Sequence, residues 1–470
     1  MSDLDKLDFG LGAAQQEQHL ENYFYRSGAF KLACSDKIYL VLGAKGAGKS
    51  AIFRMLGELE SDIPIFASPN LCLRDEPLLR DHYATWQTLP NVSLATLWRF
   101  YMASLIADRC LRERDLPEGL RGDYRRFLVR WGLVREVPTA WQAMKHMRIE
   151  VGFGDYLKTE FPPKAPLAIT EIDYVIYSAD AWLESRKADL WLCLDSLDEA
   201  SLNGRQHDRI EDILSNLMRA VAEVLRLRRI RFKLFFRSDI YQSLTYVNKD
   251  HFSAVKLELR WSLEDLAILL GHRLRPLHPE NKVLKPLQGP EQGDRLSFLT
   301  SKQWIHEVFD WCGDSPPCGF DDLYDKFKDG NGVVLPRDII QFCIEAQRAQ
   351  NNFDTQGIDH PTGNKLVSAR ACASALRLTA ASKLTDFLQV FQNFSDTYDL
   401  LKGSPSRRFT RSELSAALGK REPLDADLVI ADLVRVGAVG IKDKKSVNKA
   451  DAFEIPYLYA DALEIGAKHE

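Results

Sequence analysis

Residues 43–50 read Gly43-Ala44-Lys45-Gly46-Ala47-Gly48-Lys49-Ser50 and follow directly on the apolar run Ile38-Tyr39-Leu40-Val41-Leu42. Glycines at this spacing let successive backbone N–H groups close on phosphate oxygens. The helix-prone Ala51-Ile52-Phe53-Arg54-Met55-Leu56 that follows turns its positive end toward the same charge. In such a cradle Lys49 reaches the β- and γ-phosphates and Ser50 holds Mg²⁺, with Gly43 to Ala51 forming the nucleotide-binding loop. The pattern is specific because it stands between a buried strand and a helix.

A second constellation lies at Leu190-Trp191-Leu192-Cys193-Leu194-Asp195-Ser196-Leu197-Asp198-Glu199-Ala200. A buried strand ending in an acid places Asp195 beside Mg²⁺ and Ser50. A carboxylate one turn further on can orient and polarise an attacking water: Glu199 is assigned that role, with Asp198 as its competitor. Two arginines complete the catalytic set. Arg237 ends the strand Phe232-Lys233-Leu234-Phe235-Phe236, where a polar tip can sense a γ-phosphate. Arg337 stands in Leu335-Pro336-Arg337-Asp338-Ile339-Ile340, where a proline opening a helix sets the arginine over a nucleotide from a lid. The run Arg226-Leu227-Arg228-Arg229-Ile230-Arg231 is read either as a solvated basic helix end or as the source of an arginine finger reaching a neighbouring subunit.

The elements that position these groups alternate strand and helix, which predicts an α/β fold: a P-loop NTPase with a mainly parallel sheet flanked by helices. Residues 1–260 are assigned to this core, with Ile63 to Ala67 a second strand and a helix from about Asp208 to Arg226. Residues 14–28 carry a helical pattern with Leu20, Phe24 and Tyr25 as candidate apolar contacts, read as a plain N-terminal helix or, less economically, as a segment packing beside a nucleotide base. Residues 69–170 form a helical insertion whose Arg and Trp content fits either a nucleic-acid surface or, more economically, amphipathic helices with snorkelling arginines.

Residues 261–350 make a helical lid opened by Ser262, a capping residue with Asp265 at the third helical position. Residues 351–380 are a linker or helix. Residues 381–470 read as three helices and a two-stranded hairpin, the winged-helix pattern. Its third helix, Asp425-Ala426-Asp427-Leu428-Val429-Ile430-Ala431-Asp432-Leu433, is acidic and apolar, and basic residues gather only in the wing at Lys442, Lys444, Lys445 and Lys449. Phosphate repulsion therefore favours docking on protein over docking on DNA.

The length of 470 residues suggests about three units. With 45% hydrophobic and 27% charged residues the composition is that of a globular protein, and a net charge of −4 gives no overall attraction to nucleic acid or an anionic membrane. The eight cysteines include no C-x-x-C pair, and Cys312 and Cys318 have no histidine at ligand spacing, so they read as small core residues rather than a metal site. Met1-Ser2-Asp3-Leu4-Asp5-Lys6 shows no leader pattern, and no apolar run approaches a membrane span. These features predict a cytoplasmic protein with no membrane partner.

Taken together, the loop, the acidic strand end, the arginine strand tip and the Leu-Pro-Arg-Asp helix start resemble the additional-strand (ASCE) P-loop ATPases, near the STAND, KAP and AAA-type groups. Leu194-Asp195-Ser196-Leu197-Asp198-Glu199 is similar to the NACHT form of the Walker B motif. Most of the chain resembles a bacterial P-loop ATPase family that joins these motifs to an F-x-I-P-x-L-Y tail, here Phe453-Glu454-Ile455-Pro456-Tyr457-Leu458-Tyr459. The resemblance implies an ATP- and Mg²⁺-dependent switch working in bacterial stress or anti-phage defence. Arg337 departs from the G-x-P of STAND lids, and no separate effector or repeat sensor is visible in these residues. A partner effector protein or a homo-oligomer is therefore expected. The alternative is an ATP-dependent DNA-binding loader or regulator that uses the winged helix.

Overall fold

The computed structural model describes residues 3–10, 17, 19–56, 63–67, 93–130, 169–195, 197, 207–246, 249–277, 296–311, 317–391, 394–419, 426–443 and 445–466. Two compact units are formed, one from Phe30–Gly43 and Ile52–Glu258, the other from Met1–Ala29, Ala44–Ala51 and Leu259–Glu470. The phosphate loop thus belongs to the second unit, although it continues directly from a strand of the first.

The first unit opens with α1 (Gly28–Ala33), β1 (Leu40–Gly43), α2 (Lys49–Leu56) and β2 (Ile63–Ala67). There follow α3 (Leu94–Leu111), α4 (Glu118–Arg130) and α5 (Ile169–Arg186), then β3 (Leu190–Leu194), α6 (His207–Val224), β4 (Ile230–Arg237), α7 (Ser238–Ser243) and β5 (Lys256–Glu258). Every pairing in the sheet is parallel and the strand order is β2-β3-β4-β1-β5. Continuous apolar runs such as Leu40-Val41-Leu42 suit strands covered on both faces. β4 stands between the strand that leads into the phosphate loop and the strand that Asp195 follows. That interposed strand defines the additional-strand arrangement, and with the loop sequence it makes this an α/β P-loop fold.

α2 lies on the sheet through Phe53, whose ring meets Phe66 and Phe235 edge-on at 5.4 and 5.6 Å. In the insertion, α3 is buried on most of its faces rather than amphipathic. Trp98, Phe100, Tyr101, Met102 and Ile106 join the sheet core, and Trp98 Nε1 donates to Ile213 O of α6 at 3.0 Å. Arg99 does not snorkel into solvent: it pairs with Asp173 of α5 and Glu223 of α6. Arg109 likewise pairs with Glu113, whereas Arg112 and Arg126 reach solvent, as expected of snorkelling arginines, and pair there with Asp108 and Asp123. Trp131 lies outside the described residues.

One core cation ties β4 to the approach of β1. Lys233 is fully buried, its Nζ donating to Ser35 O at 2.6 Å and Ile38 O at 2.7 Å while lying 4.2 Å from the Trp191 ring centre. Burial pushes its ammonium down to about 8.

In the second unit come α8 (Leu263–Leu274), α9 (Phe298–Val308), α10 (Phe320–Phe327), α11 (Pro336–Gln356) and α12 (Ala369–Val390). After these follow α13 (Ser395–Leu401), β6 (Arg408–Thr410), α14 (Arg411–Leu418), α15 (Ala426–Arg435), β7 (Gly440–Ile441), β8 (Ala452–Glu454) and α16 (Tyr457–Ala462). Ser262 caps α8 in a reciprocal box with Asp265, and Pro336 stands in the first turn of α11. Helices α8 to α12 share one core with Leu4, Leu7 and Phe9 of the N-terminal segment.

Residues 19–27 differ from the expected helix: only the 3-10 turn Leu20–Asn22 forms, before α1 begins at Gly28. Tertiary contacts outweigh helix propensity here, because the Tyr23 ring lies 4.3 Å from the Arg273 guanidinium and Tyr25 OH donates to Asp265. Most of the 351–380 stretch is helical, being the end of α11 and half of α12 around an αL turn at Gly357. At the C-terminal end, α13 to α15 pack with a three-strand antiparallel sheet, order β6-β8-β7, about a core that includes Phe387, Tyr398 and Tyr459.

Candidate nucleotide site

Each unit carries its own set of candidate groups. In the first, the sheet register sets Gly43 opposite Arg237 at the carboxyl ends of adjacent strands β1 and β4. Asp195 follows the last residue of β3 and is 3% exposed, a strand-end carboxylate held against the core. Ligands of open parallel sheets bind outside this carboxyl edge. Arg237 is 4% exposed and its guanidinium is gripped by Asp239, Nε to Oδ1 at 3.1 Å and Nη2 to Oδ2 at 2.5 Å. Burial alone would raise the Asp239 carboxyl. The charge and hydrogen bonds of Arg237, with backbone N–H groups at the start of α7, hold it below the usual carboxylate range instead. Of the basic run before β4, Arg229 pairs with Glu184 and Asp189, and its backbone is held by Asp180.

In the second unit the phosphate loop adopts the backbone its glycines predict. Gly46 and Gly48 have φ of +90° and +94°, values that side-chain-bearing residues rarely take. Lys49 opens α2 and donates from Nζ to Ala44 O of its own loop at 3.1 Å. Two side chains from the helical region close on this loop. A Cβ built on Gly46 would stand 3.1 Å from Arg337 Cβ and 3.6 Å from its Nε. Trp261 donates from Nε1 to Ala47 O at 2.9 Å. The loop therefore carries an arginine on one glycine and an indole hydrogen-bonded to the next residue.

Around Trp261 the aromatic contacts continue. The Tyr25 ring lies 6.5 Å from it and stacks on His272 at 5.9 Å, and Tyr25 OH donates to Asp265 at 3.2 Å. Burial, aided by the Arg275 charge, pushes His272 down to about 4, so the imidazole is neutral at physiological pH. Tyr324 OH donates to Trp261 O at 3.3 Å and fixes the residue from behind.

Of the expected site residues, the structure gathers Gly43, Asp195 and Arg237 on the carboxyl edge of one sheet, and Ala44 to Ala51 with Arg337 in one loop-and-helix cluster. Asp198 and Glu199 lie outside the described residues, as do Lys444 and Asp425. Sequence reasoning did not find Asp239, Trp261 or His272. Trp261 had one available signal, its place immediately before the Ser262 cap. The donors suit the groups they are expected to hold. Ser50 and Asp195 offer hard oxygens of the kind Mg²⁺ takes, and glycines at positive φ leave the loop backbone open to phosphate. Among the described residues no group of three or more His, Cys, Asp or Glu could hold a metal ion, and no helix is long and apolar enough to cross a membrane.

No protein-family model and no curated protein matches the chain. Among solved structures it is similar to a Walker-type ATPase of Pyrococcus abyssi, with 12% identity over 95% of this chain and 97% of that one and a TM-score of 0.41. It is also similar to the ORC2 protein of Aeropyrum pernix, solved as ADPNP–ADP complexes, with 14% identity over 94% and 89% of the two chains and a TM-score of 0.35. The ORC1 protein of Aeropyrum pernix, solved with DNA, has 11% identity over 96% and 95% and a TM-score of 0.26.

Proposed function

We propose that this chain is an ATP-binding and ATP-hydrolysing molecular switch, acting as a homo-oligomer or with a partner effector protein. The observation that carries this reading is the seat of Arg337 and Trp261 on the phosphate loop, because a side chain lying on Gly46 meets whatever occupies the phosphate cradle. Lys49 exchanges its Ala44 carbonyl for β- and γ-phosphate oxygens. Ser50 and Asp195 would hold Mg²⁺, which would offset the charge of the phosphate oxygens. Glu199, with Asp198 as competitor, takes the proton of the attacking water as its oxygen closes on the γ-phosphorus and ADP departs. Arg237 and Arg337 report whether a γ-phosphate is present. Its loss alters the seat of Arg337, and with it the lid and the C-terminal winged helix.

A winged helix that docks on protein rather than DNA is supported by its charges. Lys442 and Lys445 of the wing pair with Glu454 and Asp443, while α15 presents Leu428, 65% exposed, between Asp427 and Asp432. The assignment to stress or anti-phage defence rests on the motif resemblance alone.

Phosphate release and nucleotide binding measured by titration test the proposal. Lys49→Ala should weaken ATP binding by about a hundredfold or more, the scale of losing charge-assisted contacts to two phosphates. Glu199→Gln should bind ATP normally and release no phosphate. Wild-type turnover by Glu199→Gln would move the base to Asp198, and wild-type binding by Lys49→Ala would overturn the reading. Particle mass with and without a non-hydrolysable ATP analogue separates the homo-oligomer from the partnered monomer.

A further inference from the structure

Phosphate chemistry gives no role to two contacts that reach the Arg337 helix start from its C-terminal side. Asp338, the residue after Arg337, is buried and forms an ion pair with Lys383 of α12, the two side chains being 12% and 9% exposed. Helix α12 continues into the core of the C-terminal module through Phe387. The Asp329-Gly330-Asn331-Gly332 turn, which feeds Leu335-Pro336-Arg337, makes the second contact. It lies backbone against backbone on the turn between α15 and β7.

The fit between those turns requires glycine on both sides. Gly330 N donates to Gly437 O at 2.7 Å, and Asn331 Nδ2 donates to Arg435 O at 3.4 Å. A Cβ on Gly330 would fall 2.4 Å from the carbonyl carbon and oxygen of Val439, and one on Gly440 would fall 2.9 Å from Gly330 O. Asp329 stiffens its own turn, accepting from Asn331 N at 2.9 Å and Val333 N at 2.8 Å. The ion pair fixes the first turn of α11, and the glycine contact fixes the chain entering it.

We propose that Asp338, Lys383 and the Gly330–Gly440 contact are positioning elements that set how Arg337 lies on the phosphate loop, so that the C-terminal module and the γ-phosphate are energetically linked. The linkage is reciprocal: whatever displaces the module weakens ATP relative to ADP, and ATP stiffens the module. This rests on the reading of Arg337 as a γ-phosphate contact.

The test compares ATP and ADP affinities of the full chain by titration. Arg337→Ala should lower the ATP-over-ADP preference by about tenfold, the scale of one charge-assisted hydrogen bond. Lys383→Met, Gly330→Ala and Gly440→Ala should each reproduce much of that loss while leaving ADP affinity unchanged, and Lys383→Arg should restore it. Combined with Arg337→Ala, none should lower the preference further. Equal weakening of ATP and ADP, or an unchanged preference in the folded variants alongside a clear Arg337→Ala loss, would overturn the positioning role and leave the site reading intact. An unchanged preference in Arg337→Ala itself would overturn both. The two glycine variants approach the contact from opposite sides, so the proposal stays decidable if Lys383→Met fails to fold.

Discussion

Arg237 and Arg337 are both expected to report a γ-phosphate, yet the molecule holds them in opposite ways. Arg237, at the tip of β4, is gripped in a two-point pair by the carboxylate two residues on and is almost wholly buried. Arg337, in the first turn of α11, is half-buried and lies over Gly46 of the phosphate loop. The first arginine already has an anion of its own, and a nucleotide adds to or competes with that pairing. The second lies against the loop proposed to receive a phosphate. The first contact ties an arginine into the fold, and the second leaves one on the loop of the proposed site.

The sharpest way to break that contrast is to truncate each arginine. Arg237→Ala leaves Asp239 largely buried without its cation, which should cost about 3 kcal/mol of stability. Chemical denaturation should show it as a lower midpoint. Arg337→Ala should leave the midpoint within about 0.5 kcal/mol of wild type, its effect appearing in the nucleotide preference. If the two variants traded these signatures, the roles would be exchanged.

A smaller change isolates the grip itself. Asp239→Asn keeps Arg237 and most of the volume at 239 but removes the charge that fixes the guanidinium. A stability loss of about 1–2 kcal/mol is expected from the weakened hydrogen bonds. If Arg237 also serves the γ-phosphate, phosphate release should slow while ATP affinity holds, because the side chain remains but is no longer oriented. Unchanged turnover in a destabilised Asp239→Asn protein would confine Arg237 to the fold.

How much of this was legible in the sequence follows from how far apart the interacting residues lie. The phosphate loop was readable because its chemistry is done by consecutive backbone groups, so Gly43 to Ser50 carry the whole signal. The placements of Asp195, Arg237 and Arg337 were readable because each stands at the end of an apolar strand or the start of a proline-opened helix. The Trp261–Ala47 bond and the Lys383–Asp338 pair join positions that only the tertiary fold brings together, and no local pattern announces them. β6 escaped notice because three residues, Arg408-Phe409-Thr410, are too short to show alternation. Over the described residues 19–27 the helical pattern misled for the converse reason. Its aromatic residues were spaced like a helix face, but Tyr23 and Tyr25 are held by Arg273, Asp265 and His272 instead.

Acid titration gives the gentlest separation of the two regions. His272 takes its proton near 6.5 when unfolded and at about 4 when folded, so between those values the unfolded chain binds more protons. Its contribution is complete above pH 6.5 and is lost as pH falls toward 4, by up to about 2 kcal/mol between pH 6.5 and 5 and less where solvent reaches the ring. Asp239 behaves differently, since its folded value lies below the ordinary carboxylate range. Its contribution is present above the unfolded value and is lost only as pH falls through the lower folded one. The surroundings of Trp261 should therefore loosen at mildly acidic pH, while the Arg237–Asp239 pair persists to stronger acid. The fluorescence difference between wild type and Trp261→Phe, followed alongside overall unfolding, would show two separate acid phases. In His272→Phe, which preserves stacking on Tyr25, the milder phase should shrink while the stronger-acid phase stays, and a milder phase unchanged by that substitution would assign it to another group.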